Sequence, residues 1–364
     1  MEDYWASAGD GAFRGRRWVV AKALRCAAGL YRLGWRLRQA GFRSGLRPVA
    51  RLPCRVVSVG NLTVGGTGKT PMTGAIAALL QARGRRVVVI SRGYRGRARQ
   101  AVHEVSNGAA LLSTPELAGD EAFMLARQLA GVPVLVGARR AVVGRYALRR
   151  YQPDVLVLDD GYQHQQLHRD VNLLLVSADA PLGNGCLLPR GPLREPLAAL
   201  RRADGVLITA LADESSEAAR RLLGAERPDL PLFVARYEAR DLLELASGAR
   251  HPLAHLTGAS YVAFCGLARP ARFRASLARL PGSCLGLRAY PDHHAYGAAD
   301  LALLTRHLRQ RRGEFLLTTE KDAVKIEGLR SPGAPILVLR MEMRFEPGQP
   351  TFEEWLLSRL PEAG

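Results

Sequence analysis

The sequence predicts an α/β fold in two parts, a parallel-sheet domain followed by a second, smaller α/β domain. Three observations predict it. The stretch 58–71, SVGNLTVGGTGKTP, reads as the end of a strand, a glycine loop and the start of a helix. Short apolar strands at 56–59, 85–91, 132–136, 154–159, 171–176 and 206–209 alternate with helical stretches, the pattern of parallel strands covered on both faces. After a weak stretch at 210–255 the alternation resumes, with strands at 261–265, 315–318 and 336–339 and a helix at 272–280. The expected division is an N-terminal helical region at 1–48, a first domain at 49–235 and a second at 236–364. A chain of 364 residues has material for both cores.

The glycine loop carries the chemistry. Gly65, Gly66 and Gly68 let backbone N–H groups turn inward around an anion, with Thr67 among them. Lys69 adds a point charge for the β- and γ-phosphates. Thr70 presents a hydroxyl to Mg²⁺, and the helix N-terminus that follows favours negative charge. This is a P-loop NTPase-like arrangement with one departure: Thr63 stands where the usual pattern has its first glycine. Nucleoside triphosphate binding is expected.

Composition narrows the partners without choosing one. The chain is 48% hydrophobic and 23% charged, with a formal net charge of +19. Only Lys22, Lys69, Lys321 and Lys325 are lysines; the rest of the 52 basic residues are arginines. Such a surface attracts phosphate-rich partners, whether nucleic acid, anionic membrane or phosphorylated substrate. No nucleic-acid recognition motif accompanies the charge, so no nucleic-acid partner is expected. The five scattered cysteines have no metal-site spacing and read as reduced thiols. No small-residue cleavage site follows an apolar core, so no secretory signal is expected.

In chain order, 1–15 reads as loose and 16–42 as helical. No run there is long and apolar enough to span a bilayer. Lys22, Arg25, Arg32 and Arg36 fall on one stripe. Val20, Ala23, Leu24, Ala27, Leu30 and Tyr31 fill much of the rest, with Trp18 and Trp35 near the ends. The helix reads either as a membrane-surface element, arginine to lipid phosphate, or as one packed on its own domain. A helix is expected at 73–81. The strand at 85–91 ends in Ser91-Arg92-Gly93-Tyr94-Arg95-Gly96, a basic, aromatic loop. At a strand end facing the ligand crevice it is either a phosphate or substrate contact or a solvated turn.

Asp120 opens a helix running to 129 and reads as a cap or as a working carboxylate. Arg139 and Arg140 start another helix. The strand at 154–159 ends in Asp159 and Asp160, where a P-loop enzyme holds its metal, and Gln163 and His164 follow directly. The glycine- and proline-rich loop 183–196 is long enough to be functional. The strand at 206–209 is expected to close the first domain's sheet. In the second domain, His293 and His294 in a proline-led loop read as metal ligands, as a general base or as surface residues.

Taken together, these stretches resemble one family, the tetraacyldisaccharide 4′-kinases, which phosphorylate the lipid A precursor of Gram-negative bacteria. The resemblance spans roughly residues 50–345. It rests on 58–71, SRGY at 91–94, GDE at 119–121, DDGYQH at 159–164, GNG at 183–185 through LPRGPLREP at 188–196, PDHH at 291–294 and TTEKD at 318–322.

The resemblance implies two α/β domains with ATP at the cleft between them and an N-terminal membrane-associating helix. The enzyme would be a peripheral or monotopic protein on the cytoplasmic face of the inner membrane. It would transfer the γ-phosphate of ATP to the 4′-hydroxyl of tetraacyldisaccharide 1-phosphate, giving lipid IVA. It further implies Asp120 and His293 as a catalytic pair working with Lys69. Arg140 and Gln163 would join the loop residues around ATP. Thr70 and Asp159, with Asp160 and Glu195, would hold Mg²⁺. Arg92, Tyr94, Asn184 and His164 would meet the lipid substrate. Which of Asp120 and His293 takes the proton stays open. The main rival reading is a regulatory ATPase of the deviant Walker type acting through protein partners. Val64 counts against it, because that class has lysine at this place.

Overall fold

A computed structural model describes residues 16–329 and 333–361. The segment 1–15, expected to be loose, and the Trp18 side chain lie outside what is described. A long helix, α1 (Arg16–Arg43), leads into β1 (Arg55–Asn61), α2 (Lys69–Ala82), β2 (Val87–Ser91), β3 (His103–Ser106), α3 (Pro115–Ala118) and α4 (Asp120–Gln128). Then come β4 (Val134–Val136), α5 (Arg140–Tyr151), β5 (Val155–Asp159), β6 (Val171–Ser177) and β7 (Gly205–Leu211). The second half contains α6 (Glu217–Glu226), β8 (Leu232–Glu244), β9 (Arg250–His251), β10 (Ser260–Cys265), α7 (Pro270–Leu277) and β11 (Ser283–Ala289). It ends with α8 (Ala298–Gln310), β12 (Phe315–Thr319), α9 (Glu320–Ile326), β13 (Ile336–Phe345) and α10 (Phe352–Ser358).

The described strands form one sheet of 13, in the order β11-β10-β12-β13-β8-β7-β6-β1-β5-β2-β4-β3, with β9 on β8. Pairing is parallel except at β13/β8, β3/β4 and β8/β9. Alternate residues of the central strands feed opposite faces. Val57, Val59, Val155 and Val157 enter one core; Val56, Leu156 and Leu158 enter another. That double burial explains why these strands read as unbroken apolar runs.

The sheet does not end at β7 as expected. β8 pairs with it in parallel and joins it to β13. The expected boundary near 235 falls inside this strand. β8 escapes a hydrophobic reading because much of its length is charged. The charges are answered by ion pairs: Arg236 with Glu346, Asp241 with Arg340 at 3.1 Å, and Glu238 with Arg344 at 3.5 Å. Cross-strand charge pairs replace the apolar alternation that marks a strand in sequence.

The chain's last helix turns back to the first half. Phe352, Trp355 and Leu356 of α10 are buried in the same core as Val57 and Ile76. Trp355 fills the space over Gly205, where any β-carbon would meet its ring at 2.8 Å. At the N-terminus, α1 docks through few side chains. Trp35 packs on a core under β6 and β7, the Tyr31 hydroxyl donates to the Arg194 carbonyl (2.7 Å), and Arg38 donates to the Gln163 carbonyl.

Candidate active site

The glycine loop leaves β1 and enters α2 at the middle of the sheet. Gly65 and Gly68 have φ of 109° and 79°, the left-handed region that suits glycine, so a side chain at either would be strained. The departure at Thr63 has a local reason. Thr63 forms an isolated bridge with Leu193, and the Val64 N–H donates to the Pro192 carbonyl, which ties the loop to 192–194. Thr67 is buried, its hydroxyl accepting from Asn61 Nδ2 at 2.9 Å and its carbonyl from the Thr209 hydroxyl at 3.1 Å. These bonds fix the loop before any ligand arrives. Lys69 is partly buried, and that burial lowers its pKa against the pull of Asp160, 3.9 Å away.

Two neighbouring carboxylates at the end of β5 have opposite surroundings. Asp159 is buried and, among the described residues, receives two hydroxyl donors, Thr73 and Ser91, both at 3.1 Å. Burial, with Glu121 and Asp160 nearby, pushes its pKa up to about 7. Asp160 has φ 50° and receives both arms of Arg194, at 2.7 and 3.0 Å. Burial works against ionisation here too, but Arg194 and Lys69 prevail and hold the carboxyl down at about 2. Arg140 is buried just below, donating to the Gly137 carbonyl at 3.2 Å. Burial lowers its pKa to about 10, while Asp159 and Asp160 oppose the shift.

A second cluster joins residues far apart in the chain. Asp120 begins α4, and His293 lies in the loop after β11. His293 Nδ1 is 3.1 Å from Asp120 Oδ2, across 173 positions. His293 has φ 61°, which costs a non-glycine residue roughly 1–2 kcal/mol. With Asp160 it is one of five such residues among those described; strain of this kind gathers at working sites.

Two lysines of α9 reach the pair. Lys321 Nζ lies 3.3 Å from His293 Nε2 and donates to Asp292 at 3.1 Å and to Glu121 at 3.4 Å. Lys325 Nζ is 3.6 Å from Asp120 and 3.1 Å from the fully buried Asp322. Burial would raise the Asp120 pKa, but the His293 hydrogen bond and the charges of Lys325 and Lys321 hold it below the ordinary carboxylate value. Burial would also weaken the Lys321 charge; Glu121 and Asp292 outweigh it and keep the ammonium protonated.

The two sides meet at Glu121, which accepts from Lys321 and also acts electrostatically on Lys69. The Tyr94 ring stands 5.6 Å from that of His293. Gln163 donates to the Asn61 carbonyl at 2.9 Å, behind the glycine loop. His164 is half-buried among arginines; burial and then Arg140 lower its pKa to about 4. Arg92 is exposed on the loop after β2.

Other expected residues are held elsewhere. Glu195 is buried in an ion pair with Arg202. The Asn184 side chain bonds its own loop, accepting from the Cys186 N–H at 3.0 Å and donating to the Arg190 carbonyl. Among the described residues, no group of three or more His, Cys, Asp or Glu side chains is gathered as a metal cluster. Residue reasoning assigned nothing to Arg194, Lys321 or Lys325, although the first two sit in quoted motifs and Lys325 follows one by three residues. One signal was available. In a chain that otherwise uses arginine, two of four lysines fall within one turn, where a compact charge fits and a guanidinium fork does not.

Known proteins resemble this chain over nearly its whole length. The family described as tetraacyldisaccharide-1-P 4′-kinase matches residues 20–361. The chain is 42% identical over 339 residues to a tetraacyldisaccharide 4′-kinase of Syntrophus aciditrophicus, covering 91% of this chain and 90% of that one. It is 43% identical over 300 residues to one from Geobacter metallireducens, covering 81% and 86%. Among solved structures, LpxK from Aquifex aeolicus in complex with ATP superposes with a TM-score of 0.75 at 30% identity, covering 93% of this chain and 99% of that one.

Proposed function

The chain belongs to the tetraacyldisaccharide 4′-kinase family, and we propose how its residues divide the work of that kinase. It is an ATP-dependent phosphotransferase of lipid A biosynthesis, moving the γ-phosphate of ATP to the 4′-hydroxyl of tetraacyldisaccharide 1-phosphate to give lipid IVA. Phosphoryl transfer depends on positioning and charge neutralisation more than on covalent help. The glycine amides and Lys69 hold the phosphates, with Arg140 and Gln163 supporting that end. The single observation that carries the assignment is the Asp120–His293 pair standing across Glu121 from Lys69, so that acceptor and phosphate can share one cleft.

Lys321 helps to decide the path of the proton. An ammonium has donors only, so His293 Nε2 must accept from it. The ring proton then sits on Nδ1 and points at Asp120. Asp120, ionised because its pKa is held low, takes the proton of the 4′-hydroxyl; His293 orients it. Tyr94, Arg92 and His164 face the substrate.

Magnesium fits the donor end. Asp159 is a buried carboxylate whose hydrogen-bond partners among the described residues are hydroxyls, and the Thr70 hydroxyl adds a second hard oxygen donor. Asp159 and Thr70 would hold the ion. When bound, it supplies charge neutralisation at the β- and γ-phosphate oxygens. Asp160, taken up by Arg194, serves through that arginine.

The second half of the chain, from β10 onward, brings His293 and Lys321 over the site of the first. We further place α1 on the cytoplasmic face of the inner membrane. No described helix is long and apolar enough to cross a membrane. Leu30, Leu33 and Leu37 nevertheless form one stripe, 71%, 53% and 66% exposed, with Lys22, Arg25, Arg32 and Arg36 exposed beside it. Changing the three leucines to serine should reduce partition onto anionic vesicles, and unchanged partition would remove α1 as the contact.

The regulatory ATPase reading is disfavoured by the family match and by Val64. The deciding assay is transfer of labelled γ-phosphate from ATP to tetraacyldisaccharide 1-phosphate in detergent micelles. Product from the parent and none from Lys69→Ala is the expected outcome. ATP binding with no transfer would return the chain to the regulatory reading.

A further inference from the structure

The helix α1 reaches the surroundings of the nucleotide loop through two side chains. Tyr31, Trp35 and Arg38 are spaced four and three residues apart, so they share one face of the helix. Trp35 seats that face on the core under β6 and β7. The other two end on backbone carbonyls: the Tyr31 hydroxyl donates to that of Arg194 at 2.7 Å, and the Arg38 guanidinium donates to that of Gln163. The exposed Leu30, Leu33 and Leu37 lie off this face, so the docked side and the leucine stripe are separate features of one helix.

Both carbonyls belong to residues whose side chains converge on Asn61. Arg194 donates to Asn61 Oδ1, and Gln163 Nε2 donates to the Asn61 carbonyl at 2.9 Å. Asn61 is fully buried at the end of β1. Its side-chain amide has one acceptor oxygen and one donor nitrogen. With the oxygen taken by Arg194, the nitrogen faces the glycine loop and donates to the Thr67 hydroxyl at 2.9 Å.

Arg194 also settles a competition between cations. It meets both oxygens of Asp160, at 2.7 and 3.0 Å, while Lys69 Nζ stands 3.9 Å from the same carboxylate. A carboxylate answered by a two-pronged guanidinium leaves the ammonium its charge for a phosphate. Among the described residues, Lys69 is the other ion-pair partner of Asp160. If Arg194 turned away, Asp160 would hold Lys69 and the phosphates would lose it.

We propose that α1 is part of the phosphate-donor site. Tyr31 and Arg38 are positioning residues that hold Arg194 and Gln163, so that Asp160 stays with Arg194 and Lys69 stays free for the triphosphate. This rests on the kinase reading, which puts ATP at the glycine loop. The loop keeps its own shape; what α1 fixes is the guanidinium and the amide beside it.

The test varies ATP and lipid in turn, with the whole chain in detergent micelles, on the parent, Tyr31→Phe and Tyr31→Phe/Arg38→Met. Tyr31→Phe removes one hydroxyl and no charge. Its KM for ATP should rise about two- to threefold and that of the double variant about tenfold, with KM for the lipid within about twofold of the parent. Tyr31→Phe/Arg38→Lys restores a donor and should bring the KM for ATP back towards that of Tyr31→Phe. An unchanged KM for ATP in both variants overturns the proposal. So does a fall in kcat with both KM values unchanged, which marks a partly unfolded protein. An equal rise in both KM values marks a helix come loose from the body, and a rise for ATP in the double variant with none in Tyr31→Phe marks lost surface charge; each overturns it as well. If the parent makes no product, the kinase reading has failed. Nucleotide titration of the same variants then decides the positioning role, and unchanged ATP affinity overturns it.

Discussion

The two sides of the proposed cleft, the glycine loop for the phosphate donor and the Asp120–His293 pair for the acceptor, are built in different ways. The donor side is local: Gly65 to Thr70 follow one another, and Asp159 and Asp160 end a strand one place away in the sheet. Its loop is pinned by backbone and hydroxyl bonds that need no charge. The acceptor side is assembled from α4, the loop after β11 and α9, and is held by charges: Asp120, Glu121, Asp292, Lys321 and Lys325. A cradle made of one segment keeps its shape as long as that segment folds. A charge cluster made from three segments exists only while the halves stay together. Turnover can therefore be lost on the acceptor side with ATP still held.

The largest effect should come from Lys69→Ala, about 10³–10⁵-fold in kcat, together with weaker ATP binding, since it removes charge from both ground and transition states. Asp120→Asn should cost about 10²–10⁴-fold in kcat and leave ATP affinity intact, as measured by nucleotide titration. An equal loss of ATP affinity in both variants would break the comparison, because the two sides would then not be separable.

Lys321→Met sharpens it further. Roughly a tenfold fall in kcat is expected, with the acid limb of the pH–rate profile moving up as the Asp120 pKa rises towards its ordinary value. A purely structural role would lower the rate without moving that limb.

The smallest effect concerns stability alone. His164 has its folded pKa lowered to about 4, so the unfolded chain binds the extra proton first. Its neutral form is favourable above the ordinary histidine value, and stability falls as pH drops through about 6.5 towards 4. After allowance for partial exposure, His164→Gln should remove on the order of 1 kcal/mol of that acid loss. Thermal melts at pH 7 and pH 5 would read it, and an unchanged difference between the two would contradict the assignment.

The same contrast explains what could be read from sequence. The glycine loop, the strand end at Asp159 and the parallel core strands were legible because their physics is contiguous: spacing, burial period and turn chemistry. Asp120 alone reads equally well as a helix cap. Its partnership with His293 came only through the resemblance, since nothing local says which charge 173 positions away will answer it. Lys321, Lys325 and Arg194 were missed for that reason. β8 was missed because Arg236, Glu238 and Asp241 hide a central strand behind a surface-like composition.

The return of α10 has a consequence for how the protein is made. Phe352, Trp355 and Leu356 complete the core under the nucleotide loop, and Met343 of β13 reaches to within 3.0 Å of where a β-carbon on Gly68 would sit. A chain emerging from the ribosome at about 5–20 residues per second therefore cannot close its first core when that half has been synthesised. It must wait until α10 has been made. Products cut short before α10 would carry an open apolar face and offer themselves to chaperones or proteases.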